Sequence, residues 1–79
     1  IETRILALLL QTPTTPVLTA TLLRRAWGTN EEGDQSSLWV RIRSLRRKLE
    51  PDPANPLYLQ TVRGIGYVWA VNPRRGFRP

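Results

Sequence analysis

Fifteen residues, Ser36 to Glu50 (SSLWVRIRSLRRKLE), run without a glycine or proline and are halted by Pro51 and Pro53. That stretch dictates one long helix. At about 100° per residue, Leu38, Ile42, Leu45 and Leu49 fall within about 60° of arc, while Ser36, Val40, Arg43 and Arg47 lie opposite. A helix patterned this way packs its leucine face on a body and turns a cationic face outward. With 79 residues in the chain, that body is one small domain with a single core.

The remaining segments supply it. Residues 1 to 11 (IETRILALLLQ) are strong helix formers, apolar almost all round, and predict a helix covered on more than one side. Pro13 and Pro16 end it in a turn that leads into a very short strand at Val17 and Leu18. Thr19 is a candidate N-cap for a helix through Trp27, which Gly28 stops. Residues 28 to 35 (GTNEEGDQ) read as a polar loop in which Asp34 or Ser36 caps the long helix. After the rigid PDPANP connection, YLQTV and YVWAV flank RGIG, a hairpin whose turn holds Gly64 and Gly66 in conformations with positive φ. Trp27, Tyr67 and Trp69 read as core or near-core aromatics.

Charge divides unevenly along this order. The chain carries 12 Lys and Arg against 6 Asp and Glu, a formal net charge of +6. Three basic and four acidic groups precede Ser36, whereas nine basic and two acidic groups follow from there, so the whole positive excess lies in the second half. A polyanionic partner is implied. The longest apolar run, Ile5 to Leu10, is six residues, far short of the roughly 20 that span a bilayer. With no Cys and no His, thiolate and imidazole chemistry are missing, and no phosphate-cradling Gly loop or pair of buried carboxylates is evident, so an enzyme is not expected and no cofactor is implied. The Glu31, Glu32 and Asp34 cluster lacks a coordinating loop pattern and reads as solvated rather than as a metal site. The absence of Cys leaves the compartment open and favours a reducing cytoplasm. The start at Ile1, inside a periodic apolar segment, reads as a fragment of a longer protein.

The outward face of the long helix suits B-DNA, whose major groove admits one helix and whose guanines take a bidentate Arg fork. Val40 and the hydroxyls of Ser36 and Ser44 share that face with Arg43 and Arg47, and Arg41, Arg46 and Lys48 flank it where phosphates would lie. Alone, such a face could be solvated surface. Arg63, on the slim hairpin tip between Val62 and Gly64, adds a cation shaped for the minor groove. An adaptor docking an acidic protein partner on the same face remains the alternative. RNA binding would call for stacking aromatics on a sheet face, and these are not evident.

The stretch SLWVRIRSLRRKLEPDPANPLYLQTVRGIGYVW, preceded by LLRRAWG, closely resembles the effector domain of OmpR/PhoB-type two-component response regulators. The LRRKLE and TVRGIGY strings at this separation carry the resemblance, which covers Glu2 to about Val71. It implies an α+β winged helix-turn-helix: three helices and a C-terminal β-hairpin wing over residues 1 to 71. By its composition, three Arg and two Pro in NPRRGFRP, segment 72 to 79 reads as a basic flexible tail. Helix 19 to 27 would position, helix 36 to 49 would recognise, and hairpin 58 to 71 would be the wing. Sequence-specific binding of double-stranded DNA as a tandem homodimer, control of transcription, and contact with RNA polymerase through loop 28 to 35 are implied in the same way. Position by position, the resemblance puts base-facing roles on Ser36, Val40, Arg41, Arg43 and Ser44, phosphate contacts on Arg46, Arg47 and Thr61, and the minor-groove arginine at Arg63. The helical wheel puts Arg41 and Arg46 at the edges of the apolar face, nearer phosphates than bases. Two positions depart from the family: Trp39 replaces a usual acidic residue, and Arg41 a His or similar residue. Trp39 is expected to pack against loop 28 to 35, or else to touch sugar or an unstacked base. Neither the family's N-terminal sheet nor its receiver domain is expected within these residues, so the first helix is expected to show an exposed apolar patch.

Overall fold

The computed structural model describes residues 1 to 28 and 33 to 71. Part of loop 28 to 35 and all of tail 72 to 79 lie outside them. The elements run α1 (Glu2–Gln11), β1 (Val17–Leu18), α2 (Thr19–Trp27), α3 (Gln35–Leu49), β2 (Leu59–Val62) and β3 (Gly66–Trp69). The three strands form one antiparallel sheet in the order β1-β3-β2.

The apolar periodicities converge on one core. Ile5 and Leu9 of α1, Leu22 and Ala26 of α2, and Leu38, Ile42 and Leu45 of α3 bury together with Trp27, Leu59 and Tyr67. Leu49, expected on the same stripe, is exposed at the last turn of α3. Leu6 and Leu8 of α1 are half-buried and Leu10 is exposed, a partial apolar face as expected.

The punctuation acts as its chemistry requires, with two corrections. Asp34 caps α3 by accepting the Ser37 N–H at 2.8 Å, and Gly28 ends α2 with φ +79. Thr19, however, is not the N-cap of α2. Leu18 occupies that position without a side-chain cap, and the Thr19 N–H instead donates to the Ile65 carbonyl at 3.0 Å. Pairing of β1 with β3 brings the hairpin turn close enough to satisfy this helix end, so a local cap is not needed.

The second correction concerns the RGIG turn. Gly64 has φ +75 and sits one residue before Ile65, whose N–H closes the tight turn onto the Val62 carbonyl at 3.0 Å. Gly66 does not share that conformation: it belongs to β3 and pairs with Val62 on one side and Leu18 on the other. A Cβ there would overlap the Val17 carbonyl oxygen. Close approach of two strands, rather than a positive φ, explains the second glycine.

Candidate nucleic-acid interface

Four sectors of α3 meet four different surroundings. The core sector is Leu38, Ile42 and Leu45. Next to it, Arg41, Ser44 and Lys48 face the start of α1, where the Glu2 carboxylate lies 3.9 Å from Arg41 Nη1 and 3.4 Å from Lys48 Nζ. The Ser44 side chain is the largest influence holding Glu2 below its ordinary range; desolvation opposes it, and Lys48 and then Arg41 add to the lowering. Two residues that the resemblance makes base-facing, Arg41 and Ser44, are therefore turned towards α1.

On the other flank, Arg46 reaches the hairpin. Its Nε donates to the Leu59 carbonyl at 3.0 Å and its Nη2 to the Thr61 hydroxyl at 3.0 Å. Arg46 and Thr61, both expected at phosphates, thus bond each other and brace the wing against α3. A neighbouring clasp was not legible as one in the sequence. Glu50, the C-cap of α3, is buried and accepts the N–H groups of Leu57 and Tyr58 through Oε1, at 2.8 and 3.1 Å. Its Oε2 takes the N–H groups of Tyr58 and Leu59 at 3.1 and 2.8 Å. Glu50 follows the helix directly and precedes Pro51, which could have signalled a cap, but its partners lie seven to nine residues on.

The fourth sector faces away from the body. Ser36, Val40, Arg43 and Arg47 are all exposed, and Ser36 and Val40 line an open groove of about 1050 Å³ between α3 and the hairpin. Arg63 at the hairpin turn lines the same groove, with Leu18 of β1 and Ile65. Half of the helix's outward row, Ser36 and Val40, thus shares one groove with the wing cation, while Arg43 and Arg47 are exposed on the same face of α3.

The expected packing of Trp39 on loop 28 to 35 falls largely outside the described residues. Trp39 is 50% exposed, lines the groove, and its ring lies under the Arg43 guanidinium, whose carbon is 5.5 Å from the ring centroid. Of the loop's described residues, Gly33 closes on Trp27, where a Cβ would strike the indole. Trp27 is the buried ring because it ends α2 inside the core, whereas Trp39 falls on the flank of α3 that looks onto the wing. Tyr67 is buried as expected, and Trp69 is half-buried and stacked on Tyr58 at 5.8 Å.

Among the described residues no group of three or more acidic, His or Cys side chains could hold a metal, and no helix is long and apolar enough to cross a membrane.

Comparison with known proteins places this arrangement. Residues 1–69 match the family described as "Transcriptional regulatory protein, C terminal". The sensory transduction protein RegX3 of Mycobacterium tuberculosis is 52% identical over 46 residues, covering 58% of this chain and 20% of that protein. The alkaline phosphatase synthesis transcriptional regulatory protein SphR of Synechococcus elongatus is 44% identical over 66 residues, covering 84% and 26%. The chain spans about a fifth to a quarter of the length of these curated relatives. Of solved structures, the C-terminal domain of the nisin resistance regulator NsrR superposes with a TM-score of 0.69 at 37% identity, covering 86% of this chain and 67% of that one. The Klebsiella pneumoniae RstA DNA-binding domain, crystallised in complex with the RstA box, gives a TM-score of 0.74 at 29% identity, covering 87% and 68%. With three helices, a small antiparallel sheet and a family match over nearly its whole described length, the chain belongs to the C-terminal domains of transcriptional regulatory proteins, the OmpR/PhoB-type winged helices.

Proposed function

We propose that this domain binds double-stranded DNA sequence-specifically, as the effector domain of a two-component response regulator that controls transcription in the cytoplasm. In this reading α3 enters the major groove and the hairpin turn reaches the adjacent minor groove. One observation carries it: Ser36 and Val40 of α3 line one groove with the turn residue Arg63, and Arg43 and Arg47 are exposed on the same helical face as Ser36 and Val40. That spacing of cations over two elements suits a duplex, whose two grooves flank one backbone strand. The RstA domain, bound to its box, is a neighbour of the same fold.

Arg43 is the base reader and Val40 contacts a thymine methyl, with Ser36 beside them on a base edge. Arg47 and Arg63 supply phosphate and minor-groove contacts. Arg41 and Ser44, beside Glu2, serve at the DNA backbone rather than at bases; Arg46 and Thr61 serve by seating the wing and lie beside the strand that passes it. Tandem docking of two copies on direct repeats, and contact of loop 28 to 35 with RNA polymerase, belong to the same reading and rest on the family relationship. The role is one of binding, not catalysis.

The test is a titration of labelled duplex at several salt concentrations, using duplexes selected from a randomised pool and a random control. If about six phosphates are neutralised, log affinity falls with log salt at a slope of about −5. Arg43→Ala costs about 1 to 3 kcal/mol on the selected duplex and blurs one base preference. Equal losses on selected and random duplexes contradict the reader assignment. No binding of random duplex at low salt favours the alternative, an adaptor for an acidic protein.

A further inference from the structure

We propose that Trp39 is a positioning residue for Arg43, holding its guanidinium by the face so that its N–H fork stays free for a base edge. The inference rests on Arg43 being the reader. It stands on a contrast among the chain's own arginines. Arg4 donates Nη1 to the Ala26 carbonyl at 3.1 Å, Arg41 pairs with Glu2, and Arg46 spends Nε and Nη2 on the hairpin. Each of these is restrained through the donors it would need to recognise anything else.

Arg43 is restrained differently. Among the described residues it makes no hydrogen bond or ion pair, yet its guanidinium lies over the Trp39 ring at 5.5 Å. The two residues are one helical turn apart, so the contact is built into α3 and needs no other element. A guanidinium attracted to a ring face by its charge gives none of its five N–H donors to a polar acceptor. The contact therefore narrows the rotamers of a long flexible side chain without spending a donor on a carbonyl or carboxylate. An acidic residue at position 39 would restrain Arg43 by taking donors and cancelling its charge; the indole does neither. This gives a physical role to a large ring left half-exposed on the flank of α3.

The test is a double-mutant cycle on the 79-residue chain, with dissociation constants measured for the wild type, W39A, R43A, the double variant and W39F. The probes are one duplex selected from a randomised pool by the wild-type chain and one random duplex at the same salt concentration. W39A is expected to weaken the selected duplex about two- to fivefold, as loss of an exposed cation–π contact would, and to leave the random duplex unchanged. The loss should vanish in the R43A background, and W39F should recover most of it, because phenylalanine keeps a π face. A W39A loss of the same size in the R43A background, an equal loss on both duplexes, or no loss on either overturns the role of Trp39. If R43A itself weakens both duplexes alike, the reader assignment falls and carries this proposal with it. If R43A is selective but the W39A loss persists without Arg43, only the positioning role is lost.

Discussion

Glu50 shows how much one side chain can fix. Its two carboxylate oxygens take the N–H groups of three successive residues, Leu57, Tyr58 and Leu59, where the chain turns from the proline-rich connection into β2. These donors have no helix or sheet partner at that point; the Leu59 N–H is buried and those of Leu57 and Tyr58 are part-buried, so water replaces the carboxylate poorly. Glu50→Ala therefore leaves several unsatisfied groups and should cost about 3 kcal/mol or more, read as a lower midpoint in chemical denaturation. Glu50→Gln should recover only part, since its amide nitrogen would face donors. Arg46, one turn earlier on α3, holds the Leu59 carbonyl and the Thr61 hydroxyl, so helix and wing are fastened by two side chains of opposite charge from the same rod.

Among the strands, β3 has the most neighbours. It pairs with β1 on one edge and β2 on the other, and Gly66 lies where all three strands meet. Gly66→Ala should cost about 1 to 3 kcal/mol, because a methyl group there collides with the backbone of β1 and the strands must part. The Thr19 amide, bonded to the Ile65 carbonyl, should then exchange with solvent faster. A similar cost for Gly64→Ala without faster Thr19 exchange would reflect only strain at its positive φ. The helices and the hairpin were legible in advance because their signals are local: leucine spacing on α3, Pro13 and Pro16 after α1, and Pro51 after Glu50. The outward row of α3 was legible for the same reason. What was not legible depends on neighbours distant in sequence. The helical wheel puts Arg41 and Arg46 at the edges of the apolar stripe, but only the packed fold shows Glu2 beside one and β2 beside the other. Gly66 read as a turn residue because nothing nearby announces that Val17 will lie against it, and the contact of Trp39 with Arg43 on the flank facing the wing was not legible because the loop beside it drew the expectation.

For the molecule as a whole, acid acts on two carboxylates that join separate parts of the chain to α3. Glu2 links α1 to Ser44, Lys48 and Arg41, and Asp34 caps the helix through Ser37; these partners hold both groups below the ordinary carboxylate range. A lowered folded value means that the folded state binds protons less readily than the unfolded chain. Their stabilisation is therefore complete above about pH 5 and is lost as the pH falls below about 4. Thermal melts between pH 7 and pH 3 should show a smaller acid loss for the Glu2→Gln/Asp34→Asn variant than for the wild type; parallel losses would mean that other groups control acid sensitivity. The clamp on β2 has a further effect. Because β2 lies at the outside of the sheet, the backbone groups it does not share with β3 are a template on which a stray strand from another copy could grow. At Leu59 both are already occupied, the N–H by Glu50 and the carbonyl by Arg46. The side chains that seat the wing thus also blunt the sheet's open border, guarding a crowded solution against strand-by-strand aggregation.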